Sequence, residues 1–176
     1  MNVLLVTGSR SFATNIPAHA AFVEILSPLV ERIDGLLVGD AWGPDSFAVK
    51  LAQQHGKNYV RYCLDGNTIE SQALADGTYR VTGQPWWKPN DPRPPAHRWP
   101  LVRNRRMVEL LSQLKLEDEV ISRIGRCDPL VRVLCVGFID PDARTHGTDH
   151  TLGLARRAGI WTARYVWRSE CFVEES

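Results

Sequence analysis

Long apolar runs are missing from this sequence: none approaches the ~20 residues needed to span a bilayer, so no membrane segment is expected. The opening Met1-Asn2-Val3-Leu4-Leu5-Val6-Thr7-Gly8 has neither the basic start nor the extended apolar stretch of a secretory signal. Cysteine is scarce. Cys63, Cys127, Cys135 and Cys171 are scattered, with no CxxC pair, which reads as reduced, mostly buried thiols and makes the cytoplasm the expected compartment. Neither sign of charge is in excess: 21 basic and 20 acidic residues give a formal net charge of +1, which supplies no broad field for nucleic acid or an anionic membrane. Two phosphate-binding signatures are also absent. There is no GxxxxGK[ST], which argues against a P-loop NTPase, and no GxGxxG after the first strand, which argues against an ordinary dinucleotide-binding Rossmann enzyme. No cofactor and no metal is implied, and there is no internal repeat or coiled-coil heptad.

What is present is the composition of one globular domain. The 176 residues are 44% hydrophobic and 23% charged, enough to bury a core without staples. Asn2 to Val6 reads as a buried strand. A helix is predicted from Ala18 to Ile33, with Pro17 in its first turn and Pro28 placed to kink or divide it. Gly35 to Asp40 reads as a second strand, Gly43-Pro44-Asp45 opens a helix through about His55, and Asn58 to Cys63 is a third strand. Leu101 to about Leu114 is helical. Leu130 to Phe138 is a strongly apolar strand, Ile139 to His146 a polar loop, Gly147-Thr148 the start of a helix closed by Gly159, and Trp161 to Trp167 a last strand. Strands that alternate with helices and are apolar along most of their length indicate an α/β, Rossmann-like doubly wound fold. Its mostly parallel sheet would have about five or more strands, with helices on both faces.

The stretch from about 65 to 100 interrupts this single domain. Between Gln84 and Pro95 it holds five of the chain's eleven prolines together with Trp86 and Trp87. It reads as an ordered but irregular insertion, suited to a flap or an oligomer contact. Trp86, Trp87 and Trp99 suit base stacking or a local apolar cluster, and Trp42 is the better stacking residue.

In an open parallel sheet, ligands bind outside the carboxyl ends of the strands. The polar, glycine-bearing loops of this sequence fall there: Thr7-Gly8-Ser9-Arg10, Gly39-Asp40-Ala41-Trp42-Gly43-Pro44-Asp45, and Asp140 through Thr148. Glycine admits close backbone approach, and a helix start leaves N–H groups without partners, so together they suit an anion such as phosphate. Thr148 would add a hydroxyl donor beside Gly147. Each residue also has a plainer reading: Arg10 in a surface ion pair, Asp40 and Asp45 capping turns, Arg105 and Arg106 as solvated helix charge. His146 and His150 have a spacing that could suit a metal on a helix, but His146 is expected to precede the helix, and no HExxH supports them.

Val6-Thr7-Gly8-Ser9-Arg10, Val38-Gly39-Asp40-Ala41-Trp42-Gly43-Pro44-Asp45, Arg103-Asn104-Arg105-Arg106-Met107 and Gly147-Thr148, in that order, resemble the SLOG superfamily, in particular its YspA-like (cpYpsA-related) branch. That superfamily includes the LOG phosphoribohydrolases and the DNA-processing protein DprA. The resemblance implies a Rossmann-like fold and a pocket for a nucleotide or nucleotide-derived ligand. It places Gly8, Ser9 and Arg10 on the pocket floor, with Gly39, Trp42, Gly43 and the carboxylates Asp40 and Asp45 toward the sugar or base. Arg103 and Asn104 would clamp the ligand, and Arg144, His146, Gly147 and Thr148 would lie at the phosphate. It also implies a homo-oligomer, a dimer for instance.

One departure bears on chemistry. The LOG motif PGGxGTxxE ends in a glutamate, and Thr151 stands in its place here. LOG-type catalysis therefore does not carry over, and Asp40, Asp45 or Asp149 would have to supply the carboxylate. The sequence leaves three functions open: a phosphate-bearing nucleotide-like ligand bound with N-glycoside hydrolysis, the same ligand sensed without turnover, or single-stranded DNA bound as by DprA. The near-neutral charge disfavours the last.

Overall fold

The computed structural model describes residues 1–63, 69–72, 79–82, 98–125, 132–143 and 146–175. Its strands are β1 (Asn2–Gly8), β2 (Gly35–Gly39), β3 (Asn58–Tyr62), β4 (Ile69–Gln72), β5 (Tyr79–Thr82), β6 (Arg132–Ile139), β7 (Trp161–Arg168) and β8 (Cys171–Glu175). The helices are α1 (Ile16–Glu31), α2 (Pro44–Gln54), α3 (Trp99–Gly125) and α4 (His146–Arg157), with a 3₁₀ turn at Arg10–Ala13.

All eight strands form one sheet in the order β5-β4-β3-β2-β1-β6-β7-β8. The run β3-β2-β1-β6-β7 is parallel, while β4, β5 and β8 are antiparallel additions at the two sides. The chain moves outward from β1 to β3 and then returns to the other flank of β1 as β6. The order therefore reverses between β1 and β6, where loops diverge at the carboxyl ends and open a crevice. This is the expected Rossmann-like α/β architecture.

Alternation along the central strands explains the two-sided cover. Leu4, Val6, Leu36, Val38, Val136 and Phe138 face the core shared with α1 and α2. Leu5, Leu37, Cys135 and Ile139 face the core that contains Met107 and Leu111 of α3 and Leu152 and Ala155 of α4. Helix α1 buries Ala18, Phe22, Leu26 and Val30, one residue every fourth, and Asn15 caps it by accepting from the Ala18 N–H at 3.1 Å. Pro28 does not divide this helix, which continues to Glu31. The proline is exposed, so the hydrogen bond its missing N–H forfeits is lost on the solvent side.

The structure differs from the sequence reading in two helix boundaries and in three added strands. Helix α3 runs to Gly125 rather than about Leu114, and α4 begins at His146, so that histidine lies within the first helical turn instead of before it. Strand β8 follows β7 through a turn in which Ser169 and Glu170 both have positive φ, a hairpin that the charged sequence hides. The segment read as an irregular insertion contains β4, which pairs with β3, and β5, which pairs with β4; this pairing supplies the order that local propensity does not. Its Pro/Trp-rich part, 84–95, lies outside the described residues. The thiols are mixed: Cys135 is buried, Cys63 partly so, and Cys171 exposed. Among the described residues, no helix is long and apolar enough to cross a membrane.

Candidate functional site

At the crevice, β1 and β6 are tied together by Ser9. Its N–H donates to the Phe138 carbonyl at 2.9 Å, and its Oγ accepts from the Asp140 N–H at 3.1 Å. Ser9 is fully buried, so it fastens the crevice floor from below. Gly8 beside it has a structural reason: a Cβ there would run into the Pro44 ring at the start of α2. Arg10 opens the 3₁₀ turn and is exposed.

The end of β2 is where charge collects. A Cβ on Gly39 would lie 2.5 Å from the Arg103 Cζ and 2.6 Å from the Asp45 Oδ2, so the missing side chain is what lets guanidinium and carboxylate meet over the strand end. Arg103, only 4% exposed, pairs through Nη1 with Asp40 Oδ1. Its Nε and Nη2 donate to Asn104 Oδ1 at 3.2 and 3.1 Å. Asn104 in turn donates from Nδ2 to Thr151 Oγ1 at 2.8 Å, and the Thr151 hydroxyl donates to the Gly147 carbonyl at 2.8 Å. A continuous polar chain thus joins the β2 end, the first turns of α3 and the amino end of α4. Its acidic terminus, Asp40, keeps part of its side chain in solvent.

Asp45 lies beneath that terminus. It sits in the first turn of α2, after Gly43, whose φ of +98° sets the turn into the helix. Its Oδ2 accepts from the Ala41 N–H at 3.3 Å, and its Oδ1 is buried with no hydrogen-bond partner among the described residues. Burial raises its carboxyl from 3.8 to about 6, against the lowering pull of Arg103, the Ala41 N–H and Arg10; Asp40 adds to the rise. A carboxyl poised there can take up or release a proton near neutrality. Trp42, 78% exposed, stands in the same loop.

The structure therefore gathers Gly39, Asp40, Asp45, Arg103, Asn104 and Gly147 into one connected set. Gly8 and Ser9 lie at the neighbouring strand end and serve the scaffold. Thr148 is buried, and its methyl group packs over Gly137, where a Cβ would be 3.0 Å away. Its side chain thus anchors α4 to the sheet. Arg144 and the His146 side chain lie outside the described residues. His150 is partly buried, its Nε2 has no hydrogen-bond partner among the described residues, and burial followed by the charges of Arg105 and Arg157 lowers its pKa. Among the described residues, no group of three or more His, Cys, Asp or Glu side chains is arranged to hold a metal ion. Arg105 is exposed, as expected of a solvated helix charge, whereas Arg106 is half-buried and pairs with Glu109 at 2.7 Å.

Thr151 is the participant that sequence reasoning undervalued, having noted it only as a missing glutamate. The signal for Arg103 and Asn104 was available without any resemblance. Arg103, Met107 and Leu111 recur every fourth residue, as do Asn104 and Val108, so an arginine and an asparagine occupy the buried stripe of α3.

No protein-family model matches the chain, and no curated protein matches it in sequence. Among solved structures it is similar to DNA processing protein A (DprA) from Streptococcus pneumoniae, with 15% identity over 92% of this chain and 58% of that one and a TM-score of 0.43. The chain thus spans a little over half the length of that protein, and so distant a likeness carries no weight for the site.

Proposed function

We propose that this protein binds a nucleotide-like, phosphate-bearing small molecule at the carboxyl rim of its sheet, with Asp40 toward the sugar and the amino end of α4 toward the phosphate. The observation that carries the reading is the polar chain from Asp40 through Arg103, Asn104 and Thr151 to the Gly147 carbonyl. Burying an arginine is costly unless every donor is used, and this one is spent on orienting a partly exposed carboxylate beside the topological switch point. The fold alone does not call for it. The order of motifs that resembles the SLOG superfamily supports the same ligand class. Asp45, with a carboxyl near pH 6, suits the proton transfers of N-glycoside hydrolysis.

The test is a thermal-shift and calorimetric screen of nucleoside 5′-monophosphates with chromatography of the products. A ligand at a hundred times its Kd adds about 2.7 kcal/mol of stability, and Asp40→Asn should weaken it roughly tenfold or more, as loss of a charge-assisted hydrogen bond does. Release of free base identifies a hydrolase, and binding without release identifies a sensor. Failure of every monophosphate to stabilise the protein, or undiminished binding by Asp40→Asn, overturns the assignment.

A further inference from the structure

At the opposite end of the sheet, the amino ends of β1, β6 and β7 border a groove of about 550 Å³, a size that holds small ligands. Val3, Ile33 and Leu134 line its apolar part, and Arg32, Lys115 and Arg132 bring charge to it. Trp161 stands at this groove 66% exposed, and it also lines a second hollow, of about 430 Å³, with Arg156. No acidic side chain is among the described residues that line either one.

Helix carboxyl ends attract cations, and α1 and α4 both end here. That accounts for Lys115, whose ammonium donates to the Gly159 carbonyl at 2.7 Å, and Arg156 donates to Thr162 Oγ1 at 2.9 Å. It also accounts for the place of Arg32, which caps the carboxyl end of α1, but not for Arg132 at the start of β6, and the guanidinium groups of both have no hydrogen bond or ion pair among the described residues. Nor does it explain an exposed indole between two hollows. Two uncommitted planar cations beside a flat apolar ring complement a ligand that is both anionic and aromatic: the forks suit phosphate oxygens, and the indole suits a base face.

We propose that this groove is a second site, which binds a phosphate-bearing aromatic base by stacking on Trp161 and pairing with Arg32 and Arg132. The base could reach it as a free mononucleotide or as an unpaired nucleotide of a strand, and the experiment separates these sources. Tryptophan indole N–H signals are followed by nuclear magnetic resonance in the whole chain during titration with adenosine 5′-monophosphate or, separately, a short oligothymidylate. The Trp161 signal, assigned by its loss in Trp161→Ala, should move and saturate with at least one probe. Movement with the mononucleotide makes the free molecule a sufficient ligand, and movement with the oligonucleotide alone makes it a strand. Trp161→Ala should weaken the response of the Thr162 amide roughly tenfold, the loss of one stacking contact. Arg32→Glu with Arg132→Glu should weaken it at least as much and flatten its salt dependence. Both changes are at exposed positions, so folding is preserved. A Trp161 signal that neither probe moves, or that moves equally in the double-glutamate variant, overturns the proposal. Events at the carboxyl rim are read separately, at Trp42.

Discussion

Replacing Asp45 by asparagine should make this protein more stable, and only above mildly acidic pH. Asparagine has nearly the shape of a protonated aspartic acid but cannot ionise. The Asp45 carboxyl is raised from 3.8 to about 6, chiefly by burial. The gap between those values corresponds to about 3 kcal/mol in favour of the neutral form within the fold. Between them the folded chain holds a proton that the unfolded chain has released. The contribution of this group to stability is therefore full below about pH 4 and is lost as pH rises through about 6. Asp45→Asn removes that dependence. Its amide oxygen can still accept from Ala41 N–H, and Arg103 keeps its pairing with Asp40.

Urea unfolding of both proteins at about pH 4 and about pH 7 tests this. Near pH 4 the two should be equally stable. Near pH 7 the variant should gain up to about 3 kcal/mol, or roughly 6–12 °C in Tm for a chain of this size. A difference that is the same at both pH values would refute the reasoning. So would a variant less stable than the parent at pH 7, because attraction by Arg103 would then outweigh burial. On the function proposed above, the stabilised variant also loses turnover, since the carboxyl that costs stability is the one able to move a proton.

Arg103→Met should destabilise by about 3–5 kcal/mol in urea titrations by stranding Asp40 and Asp45 without their cation, and Arg103→Lys should recover only part of this because an ammonium cannot serve Asp40 and Asn104 in the same plane. Gly39→Ala should cost about 1–3 kcal/mol by pressing on Arg103 and Asp45, whereas Gly35→Ala, with nothing within 4 Å of the new methyl group, should leave the urea midpoint nearly unchanged. Thr151→Val keeps the volume but takes away the nearer acceptor of Asn104 Nδ2, leaving it only the Gly147 carbonyl at 3.5 Å, an expected loss of about 1–3 kcal/mol that Thr151→Ser should largely restore.

The central fold was legible because its strands are apolar on both faces and its helices carry a four-residue spacing, signals that act through burial alone. Strands β4, β5 and β8 were not legible, since strands added at the sides of a sheet are held by pairing with a neighbour already in place and their sequences need not be apolar. At the site, position was legible and orientation was not. The glycines were read as openings for a ligand, yet Gly8 and Gly39 make room for Pro44, Arg103 and Asp45 of the chain itself. A glycine in a sequence announces a close approach without naming the approaching group. For Thr148 the sequence pointed to the hydroxyl at a helix start, while the packing of its methyl group over Gly137 was not legible.

The same distinction governs the position where the LOG motif has glutamate. Thr151 is completely buried and bonded to both Asn104 and Gly147, so a carboxylate there would displace a satisfied hydroxyl and bury a charge among groups already committed to one another. The substitution therefore alters what the neighbouring groups must do. With threonine in place, Asn104 is fixed, Arg103 is fixed by Asn104, and Asp40 by Arg103. The carboxylates beside Arg103 are Asp40, after β2, and Asp45, in the first turn of α2. Two carboxylates then share one guanidinium field under unlike conditions, Asp40 partly in solvent and Asp45 buried with an oxygen unpaired. On the function proposed above, it is the buried carboxyl, Asp45, raised to about 6, that is suited to move a proton.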